Sequence, residues 1–187
     1  MRVFVALEIP TAVPEKLAAL LKNLRELSSQ PRWARPENLH VTLKFIGEVA
    51  PEKLGAIRAA LARVRSDARV TLEFRRLGFF PNEKRPRVFW AGMQASPNLK
   101  LLAADIESAV EELGIAREER PFSPHLTLAR FQPPHLPEKL RAAIQENAAR
   151  EFGSFETGQF HLIESRLKPS GAEYTTLESF AFAGAEA

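Results

Sequence analysis

His40-Val41-Thr42-Leu43 and His125-Leu126-Thr127-Leu128 are two copies of one pattern in a chain of 187 residues. Each sets a histidine and a threonine two residues apart in an apolar run that reads as a β-strand. On a strand, side chains i and i+2 share a face. His40 and Thr42 therefore point one way, and Val41 and Leu43 point the other way, toward a core. His125 and Thr127, backed by Leu126 and Leu128, repeat the arrangement about 85 positions later. With 4 histidines and 7 threonines, chance would place a Thr two after a His roughly 0.15 times. A lone copy reads as a strand histidine with a satisfied ring; two copies with matching apolar neighbours do not. Two such strands side by side would set two imidazoles and two hydroxyls around one small anion. That is the inventory for metal-free acid–base chemistry on a phosphate.

Composition narrows the chemistry further. The chain has no cysteine, which excludes disulfides, thiolate metal sites and a cysteine nucleophile. It has only two aspartates, Asp67 and Asp105, and no carboxylate cluster near either motif, so a di-metal phosphodiesterase lacks its ligands. No Gly-x-x-x-x-Gly-Lys loop and no Lys-x-Asp-Gly string is present. Any joining reaction would thus use energy stored in a strained cyclic phosphate, not ATP. The net charge of +3 permits a nucleic-acid partner. The 18 Arg against 8 Lys suit phosphate recognition, although a GC-rich genome gives the same bias. Fourteen prolines suit a thermophile. No apolar run is long enough for a membrane span, and the opening Met1-Arg2-Val3-Phe4 goes straight into a strand with no leader pattern. The expectation is a cytoplasmic protein.

Four segments carry helical periodicity, near 14–28, 51–65, 97–113 and 137–150, and each opens with a proline, which suits a first helical turn. Strands are expected over 2–9, 40–46, 70–76, 87–94, 125–131, 159–167 and 174–182. The alternation argues α+β, with two similar halves along the chain: strand, helix, motif strand, helix, strand, strand.

The motifs with their flanks resemble a known family, the 2H phosphoesterases. The likeness is greatest to the RNA 2′,3′-cyclic phosphodiesterase branch, also called 2′-5′ RNA ligases. It is carried by Arg2-Val3-Phe4-Val5-Ala6-Leu7; by Trp33 and Pro36-Glu37-Asn38-Leu39 leading into His40 through Gly47; by Phe122-Ser123-Pro124 leading into His125 through Arg130; and by Glu164-Ser165-Arg166-Leu167 through Gly171 and Tyr174 to Phe180. The resemblance implies one bilobal domain over residues 1–187 with pseudo-two-fold symmetry, two antiparallel sheets flanked by helices, and a cleft between them. It implies hydrolysis of RNA 2′,3′-cyclic phosphate ends to 2′-phosphomonoesters, with His40 as proton donor and His125 as proton acceptor. The residues alone leave those two roles exchangeable. Thr42 and Thr127 would donate to the non-bridging phosphate oxygens. No metal or cofactor is implied. Partners would be RNA with a 2′,3′-cyclic phosphate or a 5′-hydroxyl end, the latter for ATP-independent 2′-5′ ligation; no protein partner is implied, and a monomer is expected.

Parity assigns the neighbours. Lys44 shares a face with His40 and Thr42 and is a substrate-binding candidate. Arg130 resembles a family arginine near the phosphate. Strict alternation turns it away from His125, so it reaches phosphate only if the strand ends or twists first. Phe45 has the parity of Val41, which assigns it to the core. Trp33 reads as lobe packing, and Phe80 as a possible stacking face. The Lys84-Arg85-Pro86-Arg87 loop could track an RNA backbone. His135 and His161 lack a threonine partner and read as structural. Two other functions fit the same motifs: action on small cyclic nucleotides or ADP-ribose cyclic phosphate, and non-catalytic binding of RNA ends. Binding alone needs no proton donor and acceptor.

Overall fold

The computed structural model describes residues 1–10 and 15–182. Its first strand, β1 (Arg2–Glu8), is buried from Val3 through Leu7, on both faces. Such a strand needs a partner along each edge and a layer over each face. β3 (His40–Glu48) and β8 (Gln159–Lys168) supply the edges, both antiparallel, and β9 (Gly171–Ala181) pairs beyond β8. A second half has the order β7-β4-β5-β6, from β4 (Val70–Phe80), β5 (Val88–Ala95), β6 (His125–Arg130) and β7 (Glu151–Thr157). The halves join where β3 meets β6, at the pair Val41↔Leu126. With the two-residue β2 (Arg32–Trp33) set against β6, the result is one nine-stranded sheet. The bilobal α+β expectation holds, and its two antiparallel sheets are the halves of one continuous sheet.

Four helices cover the back of this sheet. α2 (Leu54–Ala62) and α3 (Asn98–Glu111) pack together behind the first half; α1 (Glu15–Leu27) and α4 (Glu138–Asn147) pack together behind the second. The apolar stripes create two cores. In one, Val5, Leu7, Val41 and Leu43 meet Ile57, Leu61, Leu102 and Ile106. In the other, Leu126 and Leu128 meet Phe74, Phe89, Leu17, Leu21, Leu24 and Leu140. Pro97 and Pro137 stand at the caps of α3 and α4, and Pro51 opens a short 3-10 turn before α2. Pro14, expected to open α1, lies outside the described residues.

The lobes do not follow the two halves of the chain. β8 and β9 complete the lobe that begins with β1, while β4 and β5 join the lobe of β6. α1 leaves β1 to cover the other lobe, and α3 crosses the opposite way. The two similar halves read along the sequence are thus interleaved in space: each hairpin pairs with the strand whose edge is open, whatever its distance along the chain. β7 falls outside the strands expected from the sequence. It buries only Phe152, and Gly153, at φ 111°, interrupts its pattern, so periodicity alone does not mark it.

Candidate active site

The pair Val41↔Leu126 sets the geometry of the site. Both side chains are fully buried against the helices. In an antiparallel ladder, one step to either side brings His40 opposite Thr127 and Thr42 opposite His125, all four on the other face. The histidines then stand on a diagonal, for which residues are roughly 7–8 Å apart in a regular ladder and their Cβ carbons somewhat closer. The four motif residues meet at the seam between the lobes, each partly open to solvent.

Both imidazoles are anchored alike. His40 Nδ1 lies 2.7 Å from the Asn38 carbonyl oxygen, and His125 Nδ1 lies 3.0 Å from that of Ser123. A carbonyl can only accept, so Nδ1 donates in both and Nε2 is left to exchange a proton. In each case the anchor is two residues before the histidine. Asn38 is itself fixed, because its side-chain Nδ2 donates to Ala172 at 3.0 Å, and Arg35 beside it donates to Ser170 at 2.6 Å. Aromatic rings hold the imidazole planes. His40 lies 4.8 Å from Phe4 and 5.1 Å, edge-on, from Tyr174; His125 meets Phe80 edge-on at 5.0 Å. Burial lowers the His40 pKa below its ordinary value. The Asn38 hydrogen bond opposes this, Arg130 lowers it further, Glu8 raises it and His125 lowers it.

Parity fails just after each motif, for one reason. Opposite β3, Ala6 pairs with Thr42 and Val5 with Lys44, so Leu43 is an extra residue. Opposite β6, Trp90 pairs with Thr127 and Phe89 with Ala129, so Leu128 is extra. A bulge at the same place in both strands reverses the alternation beyond it. Arg130 thereby turns to the cleft face, near enough for its charge to act on His40. Lys44 turns away from it, which corrects the expectation that it faces substrate. Its ammonium is buried behind the sheet, 2.5 Å from Glu107 Oε1 of α3, and donates to the Ala116 carbonyl at 2.7 Å. The Glu107 contact is an ion pair at an angle that makes no hydrogen bond. Phe45 is likewise corrected: it is 57% exposed and lies 6.1 Å from the Phe4 ring, on the cleft side rather than in the core.

The remaining candidates separate clearly. Trp33 packs edge-on against Phe89 at 6.3 Å and donates to the Ser28 carbonyl, a packing role. Phe80 contacts both His125 and Trp90, so it borders the cleft. Lys84, Arg85 and Arg87 lie on the loop that follows it, all three exposed. His135 is exposed in its turn, and His161 is buried on β8. Among the described residues no group of three or more His, Cys, Asp or Glu could hold a metal, and no helix is long and apolar enough to cross a membrane.

A family model described as LigT like Phosphoesterase matches residues 7–90 and 93–174. An RNA 2′,3′-cyclic phosphodiesterase of Archaeoglobus fulgidus is 35% identical over 180 residues, covering 96% of this chain and 99% of that protein. One of Thermus thermophilus is 36% identical over 198 residues, covering 98% and 91%. A crystal structure of a Thermus thermophilus protein superposes with a TM-score of 0.80 at 33% identity, covering 99% of this chain and 100% of that one. Escherichia coli LigT complexed with 3′-AMP gives 0.74 at 28% identity, covering 97% and 98%. With the family match spanning most of the chain and both motifs, this protein belongs to the LigT-like, or 2H, phosphoesterase family.

Proposed function

We propose that the cleft opens RNA 2′,3′-cyclic phosphate ends to 2′-phosphomonoesters by metal-free two-histidine catalysis. The coarser activity, that of a cyclic phosphodiesterase, comes with the family. The observation that carries the finer reading is the pair of Nδ1-anchored imidazoles on one diagonal of the β3–β6 seam. Opening a cyclic phosphodiester needs a base on the side where water attacks phosphorus and an acid on the side where oxygen leaves. A diagonal pair spans a phosphate in that sense. His125 takes the proton from water, and His40 gives one to the departing 3′ oxygen. Thr42 and Thr127 donate to the non-bridging oxygens, and Arg130 meets the charge that grows there. A 5′-hydroxyl in place of water makes the same site a 2′-5′ ligase that needs no ATP. The names of the curated relatives support RNA as the substrate.

The pH profile of kcat/KM is expected to be a bell, because one ring must be neutral while the other is charged. The limbs belong to the pair and not to single residues. The product is expected to carry its phosphate on the 2′ oxygen. Incubating an oligonucleotide ending in 2′,3′-cyclic phosphate across a range of pH, and separating products against 2′- and 3′-phosphate standards, reads both. A 3′-phosphate product would reverse the orientation of the ring in the cleft. A rate that only rises with pH would remove the acid. A cyclic mononucleotide turned over as fast as the oligonucleotide would favour the small-substrate alternative.

Activity is expected to survive exhaustive chelation with EDTA, since the described residues around the motifs offer no ligand cluster. Loss on chelation, restored by a divalent ion, would overturn the metal-free mechanism.

A further inference from the structure

The lobes are pseudo-symmetric, but the faces beside the two histidines differ. In β1 the residue in register with His40 is Glu8. In β5 the residue in register with His125 is Gly92. One lobe thus sets a carboxylate beside its histidine, and the other sets a hydrogen atom.

Both arrangements are built into their surroundings. A Cβ at Gly92 would stand 2.9 Å from the Arg75 carbonyl oxygen and 3.2 Å from the Trp90 ring, so lobe two has no room for a side chain there. Trp90 lies across this face, and a Cβ at Gly78 would be only 2.3 Å from its ring. In lobe one, the positions corresponding to Trp90 and Gly78 are Ala6 and His161, which pair with each other. The space left by the small alanine holds polar groups. Glu8 Oε1 accepts from Thr176 Oγ1 at 2.5 Å. His161 Nδ1 and Ser179 Oγ are 2.8 Å apart, and His161 Nε2 stands 3.9 Å from Glu8 Oε2, beyond hydrogen-bond reach.

We propose that Glu8 is a positioning residue that gives the cleft its direction: its carboxylate, present beside His40 and absent beside His125, holds His40 as the proton donor. The inference rests on the two-histidine reading above and goes past it, because the motifs themselves are symmetric and do not rank the rings. Thr176 fixes the carboxylate. His161 cannot cancel its charge near neutrality, since burial lowers that ring's pKa and keeps it neutral there.

The groups facing His40 are Glu8 from β1, Tyr174 from β9, and His125 and Arg130 from β6. In the free protein, burial and Arg130 outweigh Glu8, and His40 stays below its ordinary pKa. A bound phosphodiester brings one negative charge that offsets Arg130. The influence of Glu8 then no longer meets that of Arg130, and together with the Asn38 carbonyl it works against burial on the ring that has to arrive protonated.

The test is Glu8→Gln, which removes the charge and keeps the shape, with Glu8→Asp as the conservative control. The imidazole ring protons of both histidines are titrated by NMR in the full chain, and the pH profile of kcat/KM is measured beside them. In Glu8→Gln the His40 midpoint is expected to fall by about 0.5–1 unit, while His125 moves far less. One limb of the profile is expected to shift the same way, so that turnover beyond it changes about three- to tenfold. Glu8→Asp is expected to restore most of both. An unmoved His40 midpoint, or equal movement of both rings, would overturn the proposal. A fallen His40 midpoint with neither limb of the profile displaced would overturn it too, because the ring that Glu8 acts on would then not carry a proton in turnover. The titration needs no turnover, so failure of the two-histidine reading shows separately, as activity retained when His40 is replaced.

Discussion

His40→Ala and His125→Ala are each expected to lower kcat by about 10²–10⁴-fold, the range for a positioned general acid or base. The folded protein should persist in both. Each ring sits at the solvent-facing seam, anchored to one backbone carbonyl and lying against aromatic rings, and its loss leaves the two cores untouched. The double variant is expected to cost less than the product of the single effects, because neither ring works fully without its partner. Single-turnover rates on an oligonucleotide with a 2′,3′-cyclic phosphate, with thermal unfolding of each variant alongside, make the measurement. Near-full activity in either single variant would end the paired mechanism.

Glu107→Ala is expected to lower folding stability by roughly 3 kcal/mol while leaving kcat/KM of the folded protein unchanged. Lys44 is 6% exposed, and its ammonium has two neighbours, the Glu107 carboxylate and the Ala116 carbonyl. Removing the carboxylate strands a charge in the interior. Glu107 also accepts from the Glu118 backbone through Oε2 at 2.9 Å, so the loop leading toward the second motif loosens with it. The effect is a large part of the roughly 5–15 kcal/mol that holds a typical domain together. Urea titration reads the loss, and Lys44→Met combined with Glu107→Leu should recover most of it, since an apolar pair tolerates burial. A fall in kcat/KM with unchanged stability would instead return Lys44 to the substrate.

The same pair shows where strand periodicity runs out. Alternation puts His40, Thr42, His125 and Thr127 on common faces, and the seam pairing sets them there. It fails beyond each threonine, at Lys44, Phe45 and Arg130. An inserted bulge residue leaves no mark in a pattern of period two: Leu43 and Leu128 look like any other inward leucines. The helices are legible because their leucine stripes are local. The interleaving of the lobes is not, because it depends on which sheet edge is open to a hairpin made far away in sequence. Glu8 escapes notice for a similar reason. Its importance lies in a register with His40 that spans 32 residues of chain, and no local motif records it.

The order of synthesis gives that interleaving a further meaning. β1 emerges first of the strands, yet one of its two edges is closed only by β8. Until β8 is made, an apolar strand buried on both faces in the finished protein stands at a sheet margin with unpaired backbone groups, a template for another chain. The lobe that carries His40 thus closes after its companion, and its exposure to misassembly lasts until β8 has been made.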